Sequence, residues 1–203
     1  IMRTLAIDIE TKPGIAHVWG AWDQNVGLNQ LVEEPGIICF AARFLGEGKM
    51  HFASVHKHGE LEMLQAAWDL FDAADVILTY NGKRFDAPWL EGQFLKHGLG
   101  RPSPYQHIDL FQVAKRQFRL FSNKLDFVAR HLGIEGKASH EGHGLWVKCM
   151  DGDPEAWKTM EAYNRGDVVG LEELYLLIRP WIEKHPNWSG FKGRGTDFLR
   201  TLG

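Results

Sequence analysis

The segment Leu5-Ala6-Ile7-Asp8-Ile9-Glu10-Thr11 constrains the fold more than any other stretch of this chain. Its apolar, β-branched character reads as a buried strand over Leu5 to Ile9, closed by the turn signal Lys12-Pro13-Gly14. It nevertheless carries two acids, and on a strand residues i and i+2 face the same side. Asp8 and Glu10 therefore project together from the carboxyl end of a core strand, where their repulsion calls for a cation. A lysine or arginine partner would satisfy such a pair, and so would a metal ion.

Around that strand the chain alternates strands and helices. Ala16 to Ala21 reads as a second strand and the polar stretch Asp23 to Gly36 as a loop. Ile37 to Leu45 and Met50 to Val55 read as strands joined by the hairpin turn Gly46-Glu47-Gly48-Lys49, so an antiparallel meander opens the fold. From Glu60 the apolar period becomes helical, through Leu61, Leu64, Trp68 and Phe71. A strand over Val76 to Tyr80 and the turn Asn81-Gly82-Lys83 precede a helix marked by Trp89, Leu90, Phe94 and Leu95 that ends at Gly98. Gln106 to Leu110 reads as a short strand carrying Asp109, followed by helical spacing over Phe111 to Phe121 and Asn123 to Leu132. Gly133, Gly136 and Gly142 flank a stretch of weak pattern. Asp153-Pro154 is a helix start, and one face through Met160, Tyr163, Asp167, Leu171, Leu174 and Ile178 runs to the stop at Pro180, with Gly166 a candidate kink. The predicted architecture is one α/β domain over residues 1–184, a mixed central sheet flanked by helices, and then a tail over residues 185–203.

A net charge of −3 gives no overall pull toward nucleic acid, so any such binding must come from a local patch or from bound cations. Two cysteines, Cys39 and Cys149, far apart and without metal-type spacing, read as reduced thiols of a cytoplasmic protein. Neither a membrane span nor a secretory leader is expected from the apolar runs. His140, His143 and Cys149 lack a fourth ligand at zinc-like spacing.

Two further carboxylates belong with the opening pair. Asp86 follows the strand Val76 to Tyr80, at the start of a helix, where a carboxylate is favoured electrostatically or serves as a cap. Asp167 lies four residues after Tyr163 on an otherwise apolar helix face, so hydroxyl and carboxylate stack on one side. Several converging carboxylates suit hard cations with oxygen ligands, Mg²⁺ or Mn²⁺, and in two-metal sites such ions clamp the attacking and leaving oxygens of a phosphodiester. Tyr163 could orient the attacking water, because a phenol donates a hydrogen bond without occupying a metal position.

These residues carry a resemblance. Asp8-Ile9-Glu10-Thr11, then Tyr80-Asn81 with Phe85-Asp86, then Tyr163-Asn164-Arg165-Gly166-Asp167 are similar, in order and type, to the three motifs of the ribonuclease-H-like 3′-to-5′ exonucleases whose third motif carries tyrosine. The similarity spans about residues 3 to 182, and Trp19-Gly20-Ala21-Trp22-Asp23-Gln24-Asn25 resembles small stand-alone members, including phage-encoded ones; a phage-encoded chain would work in the host cytoplasm. The resemblance implies two Mg²⁺ or Mn²⁺ ions, with Asp8 bridging them, Glu10 and Asp167 on the ion that activates water, and Asp86 supporting the second. Tyr163 would position the nucleophile, and Thr11 and Asn81 would touch the terminal nucleotide. The implied substrate is the 3′ end of single-stranded DNA or RNA, with a polymerase or replisome partner if the activity serves proofreading.

Other features admit two readings. Asp109 suits either an acid near the site or a cap for the following helix. Lys83 and Arg84 suit either the phosphate backbone or a solvated turn. Gln117-Phe118-Arg119-Leu120-Phe121 is similar to a clamp-docking peptide, but its aromatics fall at helical core positions, which predicts packing. The tail sets Lys184, Lys192, Arg194 and Arg200 against Asp197, with Trp188 and Phe191 interleaved, a composition that suits either gripping a single strand or packing on the domain. Two rivals stand beside the exonuclease: an endonuclease on the same scaffold, and a silent nucleic-acid-binding adaptor.

Overall fold

The computed structural model describes residues 2–134 and 142–186. His140 and the tail positions from residue 187 onward, Trp188, Phe191, Lys192, Arg194, Asp197 and Arg200 among them, lie outside the described residues.

The opening strand, β1 (Thr4–Lys12), is longer than its apolar run. It leads into a small separate ribbon of β2 (Ile15–Ala16) and β3 (Leu31–Glu33) before the chain returns as β4 (Gly36–Phe44) and β5 (His51–Ser54). Later come β6 (Val76–Thr79) and β7 (Gln106–Asp109), and the main sheet has the order β5-β4-β1-β6-β7. β4 is antiparallel to both β1 and β5, whereas β1, β6 and β7 are mutually parallel. The mixed sheet flanked by helices therefore stands as expected.

The helices are α1 (Val55–His58), α2 (Glu60–Asp72), α3 (Asp86–Lys96), α4 (Leu110–Gln117), α5 (Leu125–His131), α6 (His143–Met150) and α7 (Pro154–Ile178). They divide between the two faces of the sheet along the alternation of β1. Leu5, Ile7 and Ile9 pack into a cluster with Met63, Leu64 and Phe71 of α2 and Leu90 and Phe94 of α3. Ala6 lies in the opposite cluster, with Val168, Leu171 and Leu174 of α7. Alanines at Ala6 and Ala41 leave room for the backbone of α7 to approach the sheet. Asp8 and Glu10 share the parity of Ala6, so the alternation that buries Ile7 and Ile9 turns both acids toward α7.

Helix α7 starts as the sequence implies, with Asp153 accepting from Glu155 N–H at 2.9 Å and from Ala156 N–H at 3.4 Å, and it runs through Gly166 as one 25-residue element. Arg43 on β4 holds it with two bonds: Nε donates to Glu172 Oε1 at 2.8 Å, and a second guanidinium nitrogen donates to Oε2. Such a fork is geometrically specific as well as attractive.

Three expectations need correction. Ala16 to Ala21 is not a strand of the main sheet: pairing ends at Ala16, and Trp19 is 100% exposed. Its apolar residues mimic a strand, but Pro13-Gly14 turns the chain out of the sheet, and Lys12 pairs with Glu33 where it doubles back. The helix foreseen over Phe111 to Phe121 stops at Gln117, and Phe121 is 97% exposed, while Phe118 and Leu120 still pack on the core. The stretch Asp23 to Gly36, expected as a loop, contains β3, which pairs with β2 beside the main sheet. Among the described residues both cysteines are free and buried, and no helix is long and apolar enough to cross a membrane. Burial pushes the Cys149 thiol up to about 11, the Asp153 charge adding to the effect.

Candidate active site

The acids converge because three parallel strands end on the same side of the sheet. β1 pairs with β6 only from Thr4 to Ala6, so the rest of β1 is free of strand pairing along that edge. There the Ile9 N–H, between the two acids, donates to Asp86 Oδ1 at 3.0 Å. Asp86 opens α3 and is 5% exposed. Burial raises its pKa to about 7, opposed by the hydrogen bonds from Ile9 N–H and its own backbone N–H, with the Asp109 charge adding a smaller upward push. Burial thus favours the neutral carboxyl, and a cation bound beside it would favour the ionised form.

On the other face of β1, Asp8, Glu10 and Asp167 offer ligand oxygens that all lie within 4.8 Å of one another. The structure thus brings three of the four predicted acids into one cluster, and places Asp86 beside it through the backbone of Ile9 rather than within it. A β-bulge sits at this point: Glu10 faces Cys39, whereas Thr11 faces Ile37, leaving Ile38 as the extra residue of β4. Bulges beside active sites re-aim the side chains next to them. Cys39, opposite Glu10, is no nucleophile, because burial and then the charges of Glu10 and Asp8 hold its thiol well above the ordinary range.

Asn164 ties the cluster to α7. Its Nδ2 donates to Asp8 Oδ2 at 2.8 Å and to the Asp8 carbonyl at 3.2 Å, and the residue is fully buried. Sequence reasoning passed over it. The signal was present, since Asn164 stands three residues before Asp167 on the buried face of α7, where a neutral amide has no packing purpose. Tyr163 meets Trp146 of α6 edge-on, ring centroids 6.1 Å apart. Burial first, then the charges of Asp167, Glu10 and Asp8, and a hydrogen bond to Asp167 all raise its pKa. The phenol therefore stays protonated and acts as a donor rather than a base.

Asp109 at the end of β7 is the helix cap that the sequence allowed, and it also braces the turn at residues 81–83. Oδ1 accepts from Phe111 N–H at 3.1 Å, capping α4, and from Asn81 N–H at 2.7 Å, while Oδ2 accepts from Lys83 N–H at 3.2 Å. It thereby fixes the turn that carries Asn81 and Lys83, whose side chains stay exposed. Asn81 adopts φ +64°, and a Cβ on Gly82 would fall 2.5 Å from Thr79, so the Asn-Gly pair is what this turn demands. His107 reinforces it through a 2.8 Å bond between Nε2 and Thr79 Oγ1. Thr11 is half-buried on β1, next to Glu10.

A mixed sheet of this order, with acids on its middle strand and on the helix packed across it, defines a ribonuclease-H-like α/β fold. The chain belongs to the RNase H superfamily, which it matches over residues 30–179. It is similar in fold to the family B DNA polymerase from the hyperthermophilic archaeon Pyrobaculum calidifontis, with a TM-score of 0.66 over 89% of this chain at 18% identity. The chain spans 25% of that polymerase chain. No curated protein matches it.

Proposed function

We propose that this chain is a metal-dependent 3′-to-5′ exonuclease that releases nucleoside 5′-monophosphates from single-stranded DNA or RNA. The observation that carries this reading is the approach of Asp8, Glu10 and Asp167 to within 4.8 Å of one another, an all-oxygen donor set of the kind Mg²⁺ and Mn²⁺ select. Asp8 would bridge two ions, Glu10 and Asp167 would hold one of them, and Asp86 would support the other. Bound there, the cations would supply an activated water and neutralise charge on the leaving 3′ oxygen. Asn164 holds the Asp8 carboxylate in its orientation, and Tyr163 donates to the attacking oxygen. Thr11 and Asn81 meet the terminal nucleotide, and Lys83 meets its phosphate. Cations between the acids also offset the repulsion between an acidic protein and a polyanion. The fold likeness to a DNA polymerase supports a polymerase as the partner.

The test is a 5′-labelled single strand incubated with Mg²⁺ or Mn²⁺. The expected result is a ladder shortening from the 3′ end with monophosphate products, abolished by Asp8→Ala at unchanged circular dichroism. Cleavage of a circular single strand would point to an endonuclease, and wild type that cuts nothing with either ion would favour an adaptor.

A further inference from the structure

Beside the acid site, the turn at residues 81–84, α4 and the segment after α7 enclose a groove of about 620 Å³, within the range of ligand sites. Its floor is the carboxyl end of β7, two strands from β1 in the sheet, hence about 10 Å away at the usual strand spacing. Lys83, Arg84, Arg116 and Lys184 line it, in a chain whose net charge is −3. The acids facing them are already engaged: Asp109 accepts three backbone N–H groups, and Glu183 accepts from Gln117 at 2.8 Å and pairs with Arg116 at 3.7 Å. That exposed pair is weak enough to exchange for a phosphate. Lys83, Arg84 and Lys184 form no ion pair with described residues. Within the groove Trp181 is 50% exposed and is held edge-on by Phe118 at 5.5 Å.

We infer that this groove binds the single nucleic-acid strand just upstream of the terminal nucleotide, with phosphates on Arg116 and Lys184 and a base stacked on Trp181. Cations beside an open aromatic face are the combination that grips a single strand without regard to sequence. A β7-end groove one or two nucleotides from the acids makes the enzyme sensitive to strand length. The inference rests on the exonuclease reading for the position of the strand end.

The test compares the p-nitrophenyl ester of thymidine 5′-monophosphate, which carries no upstream nucleotide, with a long oligothymidylate as substrates for wild type, the double variant Arg116→Gln/Lys184→Gln, and Trp181→Ala. At about 0.7 in the salt exponent per phosphate contact on a single strand, two lost contacts mean that raising salt from about 50 to about 200 mM increases the wild-type KM about sevenfold more than that of the double variant. Trp181→Ala raises KM for the long strand about fivefold or more. Turnover of the mononucleotide ester is unchanged in both. Equal salt dependence in wild type and double variant, or equal losses on both substrates, overturns the groove assignment, including the case in which the groove holds a protein segment. Wild type that degrades neither substrate overturns the exonuclease reading itself.

Discussion

Replacing Asp86 by Asn should stabilise the metal-free protein while destroying its activity. Buried Asp86 titrates near 7 instead of its ordinary 3.8, so the folded state holds its proton more tightly than the unfolded chain does. The sign follows from linkage: wherever the native state binds more protons, stability falls as pH rises. The penalty is absent below the unfolded pKa, grows through the window from about 4 to about 7, and is complete above it, at about 4 kcal/mol. Between pH 5 and pH 8 the two titration curves give a loss of about 2 to 3 kcal/mol. Asparagine cannot ionise and still accepts the Ile9 N–H, though less strongly than a carboxylate does. The assay is urea unfolding of wild type and Asp86→Asn at both pH values in EDTA. For a urea slope near 2.5 kcal/mol/M, the wild-type midpoint should drop by about 1 M relative to the variant. Added Mg²⁺ should stabilise wild type more than the variant, which keeps Asp8, Glu10 and Asp167 but lacks the fourth carboxylate. Parallel pH profiles for the two proteins would refute the buried-acid reasoning.

Tyr163→Phe keeps the contact with Trp146 and removes only the hydroxyl, so kcat should fall about 10²-fold with the melting temperature nearly unchanged. Asn164→Ala should weaken Mg²⁺ activation or activity about 10- to 100-fold, visible as a rightward shift in a metal titration. Gly82→Ala drives a methyl to 2.5 Å from Thr79, so the turn must shift; urea melts should show a loss of about 1–3 kcal/mol, accompanied by a raised KM.

The parts of the site that obey a period were legible in the sequence. Asp8 and Glu10 interrupt a strand, Asp167 interrupts a helix face, and each interruption is visible because the surrounding residues repeat. Asn164 was overlooked because a neutral amide is common on helices, and its meaning depends on a strand 156 residues away. The position of Asp86 outside the three-acid cluster was equally hidden, since it turns on where the pairing of β1 with β6 ends. Local signals misled where tertiary context won: the apolar residues around Trp19 resemble a strand, yet Pro13-Gly14 takes them off the sheet. Phe121 sits at a helical interval, yet α4 ends before it.

The hydrogen bond from Asn164 to Asp8 joins residues 156 positions apart, and Asp167 reaches Asp8 and Glu10 across a similar interval. Contacts of such separation form late, and a chain emerging from the ribosome folds from its N-terminal side. A nascent chain can complete β1 through β7 and hold Asp8, Glu10 and Asp86 without Asp167. Asp167 and the amide of Asn164 arrive with α7, latched to β4 through Arg43 and Glu172. On the proposed exonuclease function, hydrolytic competence would be the last property the molecule acquires, so unfinished or truncated chains should be inert in a cell full of single-stranded RNA.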